Sequence, residues 1–378
     1  MTSTRRDFLR TATAGALLSS AFTQGSVSAS TPARRAAEPK KILVLGGTAF
    51  IGPHFIEQAL ARGHEITMFN RGRTNTDLFP EVEKLVGNRF PDIDDGLKAI
   101  EEAIAAGRRW DVVYDTSAYV PRVAKASAEL LADACDHYIF ISTLSVFADR
   151  SVDVTEASPV GKLEDETLEQ VSGASYGPLK ALCEQAVEAA MPGRVANVRP
   201  GLIVGPGDRT DRFTWWPYRI AQGGETLAPG FGENPIQVVD VRDLSRWAIQ
   251  IAEEGTVGVF NTVGMASVIT MEEFLHGCKI VLGSDNKFTW VNQQFLLDRN
   301  VRAYSEIPLW IPREDPPYGT AQCQKAMAAG LTFRPLGATI RDTYDWAMAR
   351  EGYERWRAGM AADREAKILS EWHTRTDD

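Results

Sequence analysis

Short apolar runs alternate with amphipathic segments between residues 40 and 200. The first run, Lys41 to Leu45, is followed by Gly46-Gly47. A continuous apolar run of this length is typical of a strand buried on both faces of a parallel sheet. Residues 50–62 follow with helical spacing, and Gly63 ends that segment.

The same alternation predicts the elements of a doubly wound sheet. Further strands are predicted at residues 65–69, 82–86, 110–114, 138–142 and 194–199, and helices at 92–106, 123–134 and 176–190. After Pro200 the alternation becomes less regular. Helices are predicted there at 241–253, 271–282, 337–349 and 353–372, and strands near 236–239, 258–262 and 287–291. The expected fold is α/β, with a Rossmann-type doubly wound parallel sheet in residues 40–200. A smaller C-terminal substrate lobe (201–350), interleaved with the last sheet strands, and a helix within 351–378 complete the prediction.

Residues 1–29 have the organisation of a twin-arginine signal peptide. Arg5-Arg6 form the charged part, residues 11–22 are weakly apolar, and Val27-Ser28-Ala29 resembles a cleavage site. We therefore expect export by the twin-arginine machinery to the periplasm or the extracellular space. Residues 30–39 are predicted to be a flexible leader.

Composition excludes several classes of protein. Of the 378 residues, 44% are hydrophobic and 24% charged, which is typical of a globular protein. The net charge of −9 is unfavourable for binding a phosphate backbone, so no nucleic-acid partner is expected. No uninterrupted run of apolar residues is long enough for a membrane span. Cysteine and histidine spacing matches no metal site, and buried free thiols are expected at Cys135, Cys183, Cys278 and Cys323.

A glycine-rich turn joins the first strand to the first helix. It consists of Gly46, Gly47, Thr48, Ala49, Phe50, Ile51 and Gly52. A helix N-terminus presents unpaired N–H groups and a positive dipole end to a pyrophosphate. Gly46 is expected to permit the tight turn and Gly52 the close packing of helix on strand. In this context the turn predicts a dinucleotide cofactor.

The end of the second predicted strand bears on the choice between NAD and NADP. An acidic residue there binds the ribose 2′-hydroxyl of NAD, whereas an arginine pairs with the 2′-phosphate of NADP. This chain has Asn70, Arg71 and Arg73 instead of a carboxylate. The pattern slightly favours NADP, and a solvated basic turn is the alternative.

A tyrosine, a lysine and a threonine form the candidate catalytic set. Tyr176 and Lys180 are four residues apart and would share a helix face, with Ser175 as its cap, while Thr143 ends the preceding strand region. A lysine cation favours the phenolate and is expected to lower the pKa of Tyr176. The phenol can then exchange a proton with a substrate oxygen while hydride moves to or from a nicotinamide.

These segments resemble the extended short-chain dehydrogenase/reductase superfamily, in its NAD-dependent epimerase/dehydratase branch. The resemblance covers roughly residues 40–350 and includes the segments 46–52, 142–147, 176–180, 199–201 and 239–244. It implies that Thr143 is the catalytic hydroxyl and Tyr176 the acid/base. It also implies that Lys180 binds the nicotinamide ribose and modulates the pKa of Tyr176.

Departures from the family pattern narrow the expected function. Ala49 replaces the middle glycine, a small change that should still admit a pyrophosphate. Sugar dehydratases of the branch carry Asp and Glu after the catalytic threonine, but here Leu144 and Ser145 follow it, which argues against dehydration. We expect an NAD(P)-dependent sugar-type epimerase or dehydrogenase/reductase, acting on a sugar or a nucleotide sugar, and a homodimer is left open.

Two further hypotheses remain open at the level of sequence. The Asn-Arg-Gly turn at residues 70–72 also resembles chloroplast stem-loop RNA-binding relatives, so a non-catalytic nucleotide- or RNA-binding protein is the alternative. In the C-terminal part, the aromatic side chains of residues 215, 216 and 218 could stack on a sugar or pack in a core. Arg209 and Arg212 could bind a diphosphate or lie in solvent.

Overall fold

The computed structural model describes residues 35–264, 267–312, 319–352 and 356–376. The predicted signal peptide, residues 1–29, lies outside the described residues, so the twin-arginine interpretation stays a prediction.

The described chain contains a seven-stranded parallel sheet and a second group of short strands and helices. The strands are β1 (Lys41–Leu45), β2 (Glu65–Asn70), β3 (Glu83–Val86), β4 (Trp110–Asp115), β5 (Cys135–Ile141), β6 (Val195–Pro200), β7 (Leu202–Val204), β8 (Glu225–Pro229), β9 (Pro235–Ile236), β10 (Val238–Asp240), β11 (Gly258–Thr262), β12 (Ile269–Thr270) and β13 (Lys287–Val291). The helices are α1 (Ile51–Ala61), α2 (Lys98–Ala105), α3 (Pro121–Leu131), α4 (Tyr176–Ala190), α5 (Trp215–Ala221), α6 (Val241–Glu254), α7 (Met271–Leu282), α8 (Gln293–Asp298), α9 (Gln324–Ala328), α10 (Leu336–Ala349) and α11 (Ala362–His373).

The large sheet has the strand order β3-β2-β1-β4-β5-β6-β11, and every neighbouring pair is parallel. Successive residues of β1 face opposite sides, and both sides are buried. Ile42 and Val44 pack with α1 and α6, whereas Leu43 and Leu45 pack with α3 and α4. The chain order reverses between β1 and β4, where doubly wound sheets open a ligand crevice at the carboxyl edge. The predicted α/β, Rossmann-type doubly wound fold is confirmed.

A second apolar core lies among the elements that follow β6. It contains residues of α5, α7 and α10 and of the parallel pair β8/β13, with Trp216 and Trp310 fully buried. Two smaller pairs, β7/β10 and β9/β12, form separate two-stranded sheets. The proposed domain boundaries stay a prediction.

Three local predictions differ from the structure. Helix α2 begins at Lys98 rather than at residue 92, because Asp94 and Gly96 take positive φ angles of 54° and 52° that turn the chain first. The region 201–235, predicted to be loose, contains β7, α5 and β8. The last helix spans Ala362–His373 rather than 353–372, and residues 353–355 are outside the described ranges.

The cysteine prediction is confirmed, since all four cysteines are buried and free. Within the described ranges, no helix combines the length and the apolar character that crossing a bilayer requires. In the same part of the chain, no group of three or more His, Cys, Asp or Glu side chains could hold a metal ion.

Candidate functional site

A cleft of about 400 Å³ opens at the carboxyl edge of the large sheet. One wall, here called the sheet wall, is formed by residues that follow β1, β4 and β5 and by the first turn of α4. The opposite wall, here called the lobe wall, is formed by residues within 200–212, 234–237, 304–312 and 319–320. The cleft therefore lies where the strand order reverses, between the two apolar cores.

The structure brings the three predicted catalytic residues together on the sheet wall. Thr143 follows β5, Tyr176 is the first residue of α4, and Lys180 lies one turn later; all three line the cleft. Gly177 permits this approach, since a Cβ atom there would lie 1.9 Å from the carbonyl oxygen of Ser145. The start of α4 can therefore pack directly on the turn that carries Thr143.

Ser175 precedes α4 but does not cap it, contrary to the prediction. Its hydroxyl donates to the carbonyl of Gln170 at 2.6 Å and makes no hydrogen bond to the helix N–H groups. Ser175 instead stabilises the turn before Tyr176, since its hydroxyl also lies 3.0 Å from the hydroxyl of Ser172.

Lys180 is held in a fixed position behind the cleft floor. Its side chain is 2% exposed, and Nζ donates to the carbonyls of Ala118 and Ile141 at 2.7 and 2.8 Å. The ammonium also lies 4.0 Å from the ring centroid of Phe140 and 5.4 Å from that of Tyr119. Burial lowers the pKa of Lys180 to about 8, so the group remains mostly cationic at neutral pH.

Tyr176 does not have the lowered pKa that the sequence analysis expects. Burial raises the pKa of its phenol above the usual value, and the hydroxyl of Thr143 and the charge of Arg212 act in the opposite direction. The ammonium of Lys180, which is hydrogen-bonded to the carbonyls of Ala118 and Ile141, is not among the groups that shift this pKa. The expectation that Lys180 lowers the pKa of Tyr176 is therefore wrong for this structure.

The glycine-rich turn fits a pyrophosphate. Gly46 has a φ of 115°, and a Cβ atom on Gly52 would lie 2.4 Å from the Cα of Gly47, so α1 packs closely on the turn. The turn, which also contains Thr48 and Ala49, leads into α1, which has neither a side-chain cap nor an acidic residue in its first turn. Its N–H groups and positive dipole end are thus available to an anion, with Phe50 and Ile51 at the cleft.

The end of β2 presents hydrogen-bond donors. Asn70 Oδ1 accepts from the N–H of Gly72 at 2.8 Å, and its buried Nδ2 has no partner among the described residues. Arg71 is exposed, and Arg73 lies 3.4 Å from Asp94. Asp94 partly neutralises the basic turn, a feature that the local sequence does not reveal.

A buried ion pair beside the site is missing from the sequence predictions. Arg89 binds Asp115 through two hydrogen bonds of 2.7 and 2.9 Å, and the hydroxyl of Tyr138 donates to the same carboxylate at 2.7 Å. Burial opposes the charge of Asp115, but Arg89 outweighs it and the pKa of Asp115 is lowered. Asp115 ends β4 three residues before Ala118, whose carbonyl holds Lys180, so the pair fixes this segment.

A second buried pair lies on the other side of Lys180. Glu184, one turn after Lys180 on α4, accepts from Arg199 at the end of β6, with contacts of 2.6 and 2.9 Å. The sequence feature that the two pairs share is a polar residue at the end of a strand. The spacing along the chain does not reveal which arginine pairs with which carboxylate.

The lobe wall is closed by a short segment, residues 319–322, here called the strap. Asp153 Oδ1 accepts from the N–H and the hydroxyl of Thr320 at 2.7 and 2.8 Å. The side-chain amide of Gln237 pairs with both the N–H and the carbonyl of Ala321 at 2.8 and 2.9 Å. Gly319 and Thr320 thereby line the cleft.

The structure decides between the alternatives left open for the aromatic residues 215, 216 and 218 and for the arginines 209 and 212. Trp215 and Trp216 are buried in the second core, and Trp216 Nε1 donates to the carbonyl of Pro308 at 2.7 Å. Tyr218 packs at 4.3 Å from the ring of Trp356 and does not line the cleft, so core packing is the correct interpretation of all three. Of the two arginines, Arg212 lines the cleft and the exposed Arg209 does not.

A family model named "NAD dependent epimerase/dehydratase family" matches residues 42–262, more than half of the chain. The chain belongs to this family. The matched range contains the glycine-rich turn and all three residues of the candidate catalytic set. This confirms the family that the sequence motifs resemble.

Several known proteins are similar to the chain. The chloroplast stem-loop binding protein of 41 kDa b from Arabidopsis thaliana is 24% identical over 265 residues, which cover 64% of this chain and 63% of that protein. The match therefore spans less than two thirds of the Arabidopsis protein.

Two solved structures share the fold. A UDP-glucuronic acid 4-epimerase from Bacillus cereus, in complex with NAD, has a TM-score of 0.58 and 17% identity, covering 81% of this chain and 96% of that chain. The human epimerase family protein SDR39U1, with NADPH, has a TM-score of 0.53 and 20% identity, covering 81% of this chain and 99% of that chain.

Proposed function

We propose that the protein is an NAD(P)-dependent epimerase or reductase that acts on a hydroxyl or carbonyl group of a sugar-type substrate. The observation that carries this proposal is the placement of Thr143, Tyr176 and Lys180 on one wall of a cleft whose edge contains the dinucleotide turn. Family membership supports it, as does the likeness to an NAD-bound UDP-glucuronic acid 4-epimerase.

Each side chain has a separate role in the proposed reaction. A bound nicotinamide supplies a hydride acceptor or donor, and its oxidised form adds a positive charge that favours the Tyr176 phenolate. Tyr176 takes the proton from the substrate hydroxyl, or returns it to the carbonyl oxygen. Thr143 would donate a hydrogen bond to the same oxygen. Lys180 uses two of its three ammonium protons on the carbonyls of Ala118 and Ile141, and the third would bind the ribose.

We propose that dehydration is not the reaction. Leu144 and Ser145 follow Thr143, so no carboxylic acid stands beside it. Among the described lining residues, Asp208 is the one carboxylate, and it lies on the lobe wall with both oxygens bound to Thr210.

We propose a modest preference for NADP over NAD. The unpartnered Asn70 Nδ2 and the exposed Arg71 are donors suited to a 2′-phosphate, and no carboxylate occupies the end of β2. Asp94 beside Arg73 weakens the preference, so we expect affinities that differ by less than about tenfold, or 1.4 kcal/mol.

RNA binding without catalysis is the second candidate function. It is favoured by one finding, the similarity to the Arabidopsis protein named for stem-loop binding. The net charge of −9 and the complete Thr-Tyr-Lys set argue against it. Filter binding of structured RNA at physiological salt distinguishes the two, because an enzyme of this kind should bind the RNA no more tightly than an acidic control protein.

Export to the periplasm or the extracellular space by the twin-arginine route remains part of the proposal. Its support is the order of charged, apolar and cleavage segments in residues 1–29. Fractionation of cells that produce the full chain with Arg5 and Arg6 both changed to lysine would test it.

The catalytic proposal is tested with Tyr176→Phe and the matched control Tyr119→Phe. Tyr119 lines the same cleft, with its ring 6.3 Å from that of Tyr176. Tyr176→Phe should keep NAD(P) affinity and lose turnover by about 10²–10⁴-fold on any active sugar or nucleotide sugar, as expected for a lost acid/base. Tyr119→Phe should retain most turnover. Near-normal turnover by Tyr176→Phe would contradict the proposed acid/base role of Tyr176.

A further inference from the structure

Arg212 is an unpaired cation on the lobe wall of the cleft. Its Nε donates to the hydroxyl of Thr210 at 3.1 Å, and its guanidinium carbon lies 5.5 Å from the ring centroid of Tyr304. Neither terminal nitrogen has a hydrogen-bond or ion-pair partner among the residues that the structure describes. A guanidinium fixed at Nε and on a ring face keeps its two terminal nitrogens for a bidentate ligand.

Hydrogen bonds within and beyond residues 208–212 hold Arg212 at the cleft. Asp208 is 1% exposed, and its carboxylate binds the N–H and hydroxyl of Thr210, which in turn holds Arg212. Asp211, with a φ of 62°, turns its buried carboxylate away to Arg350 at 2.7 Å and to the N–H of Arg357 at 2.9 Å. Both nearby carboxylates thus have other partners, and neither forms an ion pair with Arg212.

The position of Arg212 places its charge close to the reacting atoms. Arg212 and Tyr176 line the same cleft from the two walls, and the charge of Arg212 offsets part of the rise in the Tyr176 pKa that burial causes. Apolar side chains, among them Ile203 and Ile236, line the same wall. A ligand group at Arg212 would therefore lie near the oxygen that exchanges its proton with Tyr176, with an apolar surface beside it.

We propose that Arg212 binds a carboxylate on the substrate, close to the carbon that is oxidised or reduced. This inference rests on the proposed function and names its substrate class, a sugar acid or a related hydroxy acid. In a nucleotide sugar the diphosphate is attached at the anomeric carbon, across the ring from position 4, for which the similar Bacillus cereus epimerase is named. Arg209 does not line the cleft, whereas Arg150 does, so the test includes UDP-sugars with and without a carboxylate.

The test compares ligands that differ only in the carboxylate. UDP-glucuronate is paired with UDP-glucose, and D-glucuronate with D-glucose. The full chain loaded with NAD or NADP is examined for turnover and for thermal stabilisation by each ligand. The variants are Arg212→Gln, Arg212→Lys and the control Arg209→Gln.

The expected result is a preference of wild type for the acid of at least one pair. Arg212→Gln should weaken binding or turnover of that acid by about tenfold or more, as for loss of a charge-assisted contact, and leave its neutral partner within about threefold. Arg212→Lys should be intermediate, and Arg209→Gln should resemble wild type.

Three outcomes would overturn the inference. The first is equal binding of acid and neutral partner by wild type in both pairs, and the second is an unchanged acid preference in Arg212→Gln. The third is an equal loss of both UDP-sugars with no change for the free sugars, which would place a diphosphate at Arg212. Thermal stabilisation needs no turnover, so these outcomes are distinguishable from failure of the catalytic proposal, which Tyr176→Phe reports separately.

Discussion

The two walls of the cleft are stabilised by different kinds of interaction. On the sheet wall, Lys180 donates to the carbonyls of Ala118 and Ile141. Two buried ion pairs, Arg89–Asp115 and Glu184–Arg199, contribute charges that act on it. On the lobe wall, hydrogen bonds hold the strap. The side chains of Asp153 and Gln237 bond to Thr320 and Ala321, and backbone groups of Arg150 and Val154 bond to those of residues 319, 320 and 322. Loss of one partner of a buried ion pair is strongly destabilising, whereas loss of one hydrogen bond to a short segment costs much less. In the proposed reaction, the proton transfer takes place on the wall with the buried ion pairs, and the substrate contacts are on the wall held by hydrogen bonds.

The largest effect should come from breaking a buried pair on the sheet wall. Arg89→Met leaves Asp115 as an uncompensated buried charge, and we expect a loss of about 3–5 kcal/mol in the free energy of unfolding. Arg108→Met is the matched control, because Arg108 pairs with Glu83 near the surface and should contribute less than about 1 kcal/mol. Urea unfolding of both variants measures the difference. Equal losses would mean that the sheet wall has no special rigidity.

A pH-dependent effect should follow from Lys180. Its pKa is about 8 in the folded protein against an ordinary 10.5, so between these values the unfolded chain binds more protons. Stability of wild type relative to Lys180→Met should therefore rise from pH 8 to pH 10.5, by up to about 3 kcal/mol, and be flat below pH 7.

The control for this measurement is Lys125→Met, since Lys125 is exposed on α3. Urea unfolding between pH 7 and pH 10 gives the curves for all three proteins. If the wild-type and Lys180→Met curves ran parallel, Lys180 would not be destabilised by its burial.

The smallest effect is expected on the lobe wall. Gln237→Leu removes both hydrogen bonds to Ala321 and loosens the strap, so the KM of an active substrate should rise by about three- to tenfold, equivalent to roughly 1 kcal/mol. The affinity for NAD(P) should not change, because the hydrogen bonds of the strap within the described residues go to residues 150, 153, 154, 237 and 261 and not to the glycine-rich turn. Gln294→Leu, at an exposed site on α8, is the control. A parallel loss of cofactor affinity would show that the two walls are coupled.

Local sequence determined most of the sheet wall. Each apolar run marks a strand because both faces of a parallel sheet are buried, and the glycine turn must follow β1 directly. Tyr176 and Lys180 were predictable as a pair because a helix places residues four apart on one face. The fold class, the turn and the three candidate catalytic residues were therefore accessible without coordinates.

Tertiary structure alone decided the lobe wall and the electrostatics. Thr320 and Asp153 are 167 residues apart, and no period or spacing connects them. The pKa of Tyr176 depends on burial, on the hydroxyl of Thr143 and on the charge of Arg212, which only packing brings together. Arg209 and Arg212 look alike in the sequence, yet of the two only Arg212 lines the cleft. The segment is held locally by Asp208 through Thr210 and at long range by Asp211 through Arg350. Sequence patterns encode local geometry, whereas the assembly of a cleft from separate segments depends on long-range contacts.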